Sequence, residues 1–209
     1  MRNIVVTICC LLLLGETAGA QLIVEITEGV KRRPIAVVPF GWEGNTPEMP
    51  TEVAEIIANN LTRSGRFAPI PEEDMLQKPT TGVVVDFDDW AILDIEAVVV
   101  GRVTQTGDNA YTVQFQLFDV YGQKQLVGYR MPASRGTMRR VAHRLADMIY
   151  EELTGIPGVF DTRVTYVTTE DRPGGRLYSL IVADQDGYNE NKIMESNDPI
   201  MSPAWSPDS

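Results

Sequence analysis

Two short stretches of this chain contain no charged or hydrogen-bonding side chain: Ile35-Ala36-Val37-Val38-Pro39-Phe40 and Ala97-Val98-Val99-Val100-Gly101. A strand with one wet face alternates apolar and polar residues, so an uninterrupted run is the pattern of a strand buried on both faces. Such strands need helices packed on the sheet, and the intervening sequence has the period to supply them. After a Pro/Gly-rich loop from Gly41 to Pro50, Thr51 is placed to cap a helix. Its apolar side holds Val53, Ile56, Ile57 and Leu61, and Gly65 stops it. A longer amphipathic helix is predicted over about Thr137 to Leu153. Met138, Val141, Ala142, Leu145, Met148, Ile149 and Leu153 share one face, and Thr154-Gly155 ends it.

The remaining pattern is mixed. Phe67 to Ile70 reads as a short strand and Pro71 to Thr81 as a polar connection. Asp86-Phe87-Asp88-Asp89-Trp90 leads into a short helix, capped by Asp86 or Asp88, whose acidic first turn suits the helix dipole. Tyr111 to Phe118 alternates apolar and polar, and Gln125 to Met131 follows a turn at Asp119 to Gly122, an antiparallel hairpin. Strands and helices interleaved without strict βαβ repetition predict an α/β domain, a mixed sheet with packed helices, over residues 21–155. Beyond a linker at 156–162 the pattern is all β. Arg163 to Thr168, Leu177 to Ala183 and Lys192 to Glu195 are strands joined by Pro173-Gly174-Gly175 and Asp186-Gly187 turns, in a second unit over 163–209.

The N-terminus reads as an export signal over residues 1–20. Arg2 and Asn3 precede the apolar run Ile4 to Leu14, and Ala18-Gly19-Ala20 forms a small-residue cleavage site between Ala20 and Gln21. That run is shorter than the roughly 20 residues a membrane-spanning helix needs. Both cysteines, Cys9 and Cys10, lie inside it, so the mature chain is cysteine-free and must be held by its core rather than by disulfides. Cleavage removes one cation and one anion, and the formal charge stays at -11. An excess of carboxylates repels the phosphate backbone, which argues against a nucleic-acid partner, and nothing later in the mature chain is apolar enough to insert in a membrane.

No catalytic set is visible. The single histidine, His143, could pair with Asp147 one helical turn later, but a solvated ring on a helix that also carries Arg139, Arg140 and Arg144 is the better account. Gly-x-Ser-x-Gly, phosphate-loop and dinucleotide fingerprints are absent. Asp86, Asp88 and Asp89 fit helix capping better than calcium, and Asp184-Gln185-Asp186-Gly187 is first a hairpin turn. No metal or cofactor is expected. The basic clusters at Lys31–Arg33 and Arg130–Arg144 read mainly as solvated faces. Leu22 to Thr27, rich in Val and Ile, suits either an edge strand of its own sheet or a free tail that adds to another protein's sheet edge.

Asp184-Gln185-Asp186-Gly187-Tyr188-Asn189, followed by Pro199-Ile200-Met201-Ser202-Pro203-Ala204-Trp205-Ser206-Pro207-Asp208, resembles the blade signature of the TolB family of β-propeller proteins. Arg33 to Phe40, Ala97 to Gly101 and Leu153-Thr154-Gly155-Ile156-Pro157-Gly158-Val159-Phe160 resemble the same family, in order along the chain. The resemblance implies a non-enzymatic periplasmic adaptor of the Tol-Pal system, supporting envelope integrity and outer-membrane invagination in division. It also implies a first domain similar to the anticodon-binding domains of some aminoacyl-tRNA synthetases. The family binds the inner-membrane partner TolA through its mature N-terminal segment, here Gln21, Leu22, Ile23, Val24, Glu25, Ile26, Thr27, Glu28, Gly29, Val30, Lys31 and Arg32. Leu22, Ile23, Val24 and Ile26 would be the anchors. The propeller binds the lipoprotein Pal. A blade takes about 40 to 45 residues and a propeller must close on itself, so 163–209 is expected to be the first blade of an incomplete one, in a fragment or a truncated product. Two rivals are the N-terminal part of a propeller-containing serine peptidase and a free-standing periplasmic binding module.

Overall fold

The structure, a computed structural model, describes residues 31–206. The expected export signal at 1–20 and the expected epitope residues 21–30 lie outside the described residues, as does the expected strand or tail at Leu22 to Thr27.

The two apolar runs form adjacent parallel strands at the centre of a six-stranded mixed sheet. Strand β1 (Arg33–Val37) continues through Pro39 into β2 (Gly41–Glu43), and both pair with β4 (Ala97–Gly107). The predicted loop at Gly41 to Pro50 therefore starts with three residues of strand. Gly101 makes this path possible, since a Cβ there would stand 2.4 Å from the ring of Phe40. Helix α1 (Val53–Arg63) returns the chain to β3 (Phe67–Pro69), parallel to β1 on its other side. The helix starts after Glu52 with no side-chain cap, so Thr51 is not the cap its type suggested. Helix α2 (Phe87–Ile92) is capped as expected, with Asp86 Oδ1 accepting from the Asp88 amide at 3.1 Å. The hairpin of β5 (Ala110–Asp119) and β6 (Lys124–Ala133) extends β4 antiparallel, giving the order β3-β1-β4-β5-β6. Helix α3 (Met138–Thr154) follows and packs against α1.

Alternation along the central strands explains the unbroken apolar runs. Ile35, Val37, Ala97, Val99 and Val103 face α1 and α3, in a core with Val113, Phe115, Leu117, Leu145 and Ile149. Ala36, Val38, Val98 and Val100 point the other way, into a smaller core closed by Trp90, Ile95 and Phe118. Hydrophobic burial drives both layers, each fully buried Val, Leu, Ile or Phe contributing about 1.5–3 kcal/mol. Strand β5 buries Tyr111, Val113, Phe115 and Leu117 on the helix side and alternates accordingly until Phe118, which turns into the smaller core.

A three-stranded antiparallel meander follows: β7 (Arg163–Arg172), β8 (Gly175–Asp184) and β9 (Asn191–Ser196). It runs further than expected at both hairpin ends. Leu177, Ser179, Ile181 and Ala183 are buried on one side of β8, while Ile193, Met194, Met201 and Trp205 are exposed.

Candidate functional site at the helix–meander junction

Of the side chains that sequence reading singled out for chemistry, His143, Asp184 and Asp186 meet where the turn after β8 touches α1 and α3, whereas Asp86, Asp88 and Asp89 stay at the start of α2. His143 is 2% exposed, not solvated. The reason lies in its position at the edge of the α3 apolar stripe, three residues before the buried Ala146. The turn at Asp184–Gly187, closed by Gly187 N–H donating to Asp184 C=O at 2.9 Å, projects onto that edge and covers it.

The contacts form one polar network. Asn60 of α1 places Nδ2 2.9 Å from His143 Nδ1, and its Oδ1 accepts from Gln185 Nε2 at 3.0 Å and from Arg63. His143 Nε2 points at Asp186 Oδ2, 3.4 Å away, without a hydrogen-bond partner among the described residues. That Asp186 oxygen is held instead by the Arg139 guanidinium, which also lies 3.6 Å over the Tyr188 ring. Burial, the largest influence, pushes the His143 pKa below its ordinary value; Asp186 opposes this, and Arg139 adds to it.

Asp147 is not a partner of His143. Its two carboxylate oxygens accept from the backbone N–H groups of Phe160 and Asp161 at 2.6 and 3.0 Å, tying down the linker. Phe160 then packs edge-on to Tyr150, and Asp161 lies 3.1 Å from Arg140 and 4.0 Å from Arg144. The basic face of α3, read as solvated, thus binds acidic groups of the linker and the meander. Asn60 went unrecognised in the sequence, and Asp147 was weighed only as a partner for His143. Asn60 had a visible signal, a polar residue one position before Leu61 in the apolar stripe of α1.

His143, Asp184 and Asp186 bring three potential ligand atoms within 4.8 Å of one another. They do not fit a metal. Arg139 already neutralises Asp186, and the bond from Asn60 occupies the Nδ1 lone pair, leaving the ring proton on the nitrogen that faces the carboxylates. No hydroxyl or thiol hydrogen-bonds to His143 among the described residues. Of the proposed epitope only Lys31 and Arg32 are described, and both are exposed coil leading into β1. No described helix is long and apolar enough to cross a membrane.

The fold defines a two-module protein, an α/β domain followed by an antiparallel β-meander that contacts it through the Asp184–Gly187 turn. Comparison with known proteins specifies it. Residues 22–126 match the family model described as the TolB amino-terminal domain, and residues 150–209 match that of the TolB beta propeller domain. The chain belongs to the TolB family. It is 49% identical over 191 residues to the Tol-Pal system protein TolB of Nitrosococcus oceani, covering 90% of this chain and 44% of that one. It is 46% identical over 200 residues to that of Thioalkalivibrio sulfidiphilus, covering 95% and 46%. The crystal structure of TolB from Acinetobacter baumannii superposes with a TM-score of 0.73 at 33% identity, over 88% of this chain and 44% of that one. The chain therefore spans about half the length of the relatives it matches.

Proposed function

We propose that this chain acts in the Tol-Pal system as a non-catalytic periplasmic adaptor, coupling the inner-membrane protein TolA to the outer-membrane lipoprotein Pal. The observation that carries this reading is the ordered match of both modules to TolB families, together with the names of its relatives. Residues 21–32 are the TolA epitope, joined to the first strand at the exposed pair Lys31 and Arg32. The β-propeller is the Pal-binding module, and the adaptor supports envelope integrity and invagination of the outer membrane during division. Exposed Ile193, Met194, Met201 and Trp205 suit a meander that packs against further propeller strands. The junction chemistry also favours binding over catalysis, because His143 is engaged by Asn60 and screened by Arg139 rather than paired with a nucleophile.

The test is a pull-down with the C-terminal domain of TolA as bait. The chain beginning at Gln21 is retained, and a synthetic peptide of residues 21–32 competes for the bait. Retention that survives deletion of 21–32 refutes the epitope; failure of both chain and peptide to bind refutes the adaptor reading.

A further inference from the structure

The network around His143 is asymmetric in a way that ties docking of the meander to the protonation of one ring. Arg63 can only donate, so Asn60 must turn Oδ1 toward it, and Gln185 donates to that same oxygen. The Asn60 amide nitrogen therefore faces His143 Nδ1, and that nitrogen must accept. The docked state thus specifies the neutral ring with its proton on Nε2. A second proton on Nδ1 would confront the Asn60 amide donor. Turning Asn60 round to receive it would set an amide donor against Arg63, which has no acceptor to offer in return.

The charged groups facing the ring are Arg139 on its own helix, Arg63 from α1, and Asp184 and Asp186 from the meander turn. The two carboxylates would welcome an imidazolium. Their pull, though the largest influence after burial, does not outweigh it: Asp186 Oδ2 is already taken by Arg139 and stands 3.4 Å from Nε2 without a hydrogen bond. Asp184 is likewise engaged, with Oδ2 accepting from Asn189. Burial of a ring 2% exposed acts against charge throughout.

We propose that His143 is an acid-sensitive latch: the Asp184–Gly187 turn stays docked on α1 and α3 while the ring is neutral, and is released when the ring takes a second proton. The direction follows from linkage. A histidine whose docked pKa is lowered takes up its proton more readily once undocked and solvated. Its stabilisation of docking is complete above the ordinary histidine pKa and is lost as pH falls through that value toward the docked one.

Exchange of the Gln185 side-chain amide, whose Nε2 donates across the junction to Asn60 Oδ1 at 3.0 Å, reads the docking, expressed as protection factors so that intrinsic pH dependence cancels. Between about pH 7.5 and about pH 5.5, on either side of the ordinary histidine range, protection falls roughly five- to tenfold, as loss of one or two buried hydrogen bonds implies. In His143→Asn, whose amide oxygen can accept from Asn60 but cannot titrate, protection is flat with pH. In Asn60→Asp the new carboxylate accepts from a protonated Nδ1, and the trend reverses. Ring nitrogen NMR of the unmodified chain needs no variant: it shows the proton on Nε2 at neutral pH. A proton on Nδ1, or the same pH trend in wild type and His143→Asn, overturns the latch.

Discussion

Gly158 sits where the linker crosses α3, and a methyl group there has nowhere to go. A Cβ on Gly158 would stand 2.3 Å from Asp147 Oδ1, 2.5 Å from Asp147 Cα and 2.8 Å from Asp147 Cβ. The carboxylate could swing aside, but the Cα belongs to the helix backbone in the middle of α3 and cannot. The variant Gly158→Ala therefore has two routes. It can keep the linker docked and bear overpacking strain of about 1–3 kcal/mol. Alternatively, it can lift the linker away, losing the two bonds from Phe160 and Asp161 to the Asp147 carboxylate and exposing Phe160, now 7% exposed. Each bond to a charged acceptor contributes about 1.5–3 kcal/mol and the ring a similar amount, so the second route costs more.

The chain takes the cheaper route, and the expected loss is about 2 kcal/mol, within a range of about 1–3. Urea unfolding followed by circular dichroism measures it, as a lowered midpoint at unchanged slope. Gly155→Ala is the informative comparison. Its φ of +71° caps α3 in the left-handed region with no atom within 4 Å of the added methyl, so it loses about 1 kcal/mol through backbone conformation alone. Asp147→Ala removes the two bonds yet retains the Cα that Gly158→Ala meets, and the double variant is non-additive because both changes act on one contact. A loss below about 0.5 kcal/mol for Gly158→Ala, the range of ordinary surface substitutions, would refute the close-approach argument.

Three further outcomes are expected. Phe115→Ala, which empties a fully buried ring site beneath α1 and α3, lowers stability by about 3–5 kcal/mol in the same assay, whereas Thr112→Ala, on the opposite face of β5, stays within about 0.5 kcal/mol. Arg33 donates to Glu96 and to the Leu153 carbonyl in the last turn of α3, both at 2.7 Å, from a half-exposed position. Arg33→Ala loses about 1 kcal/mol by thermal unfolding, and Arg33→Lys restores only part because one ammonium cannot reproduce the fork. The Glu43 carboxyl titrates below its ordinary value because Thr104 and then Arg102 hydrogen-bond to the charged form; its stabilising effect is present above the ordinary carboxylate pKa and is lost as pH falls through the lowered one. Carbon NMR of the carboxyl shows this, and Thr104→Ala moves the pKa back up.

The secondary structure was legible in the sequence because its signals are local. The 3.6-residue stripes of α1 and α3, the unbroken runs of β1 and β4 and the alternation of β5 each carry their period within ten or so residues. What could not be read was any contact made across long separations. Asp147, one turn from His143 on the same helix, offered only a weak pairing with it in the sequence, and both of its oxygens go to linker amides that no local pattern announces. The short strand at Gly41–Glu43 looked like loop because its pairing depends on Gly101, sixty residues on, leaving room for Phe40.

His143 shows the same division. Composition established that one histidine was present, and the motif Asp184 to Asn189 marked the family and the turn. Only the tertiary structure brought them together, because the ring's tautomer depends on Asn60 and Arg63 of α1, and its lowered pKa on burial between that helix, α3 and the Asp184–Gly187 turn, elements far apart in the chain. Periodicity is written residue by residue and is determined by the sequence itself. The protonation chemistry of a side chain belongs to its surroundings, and those exist only once the chain has folded.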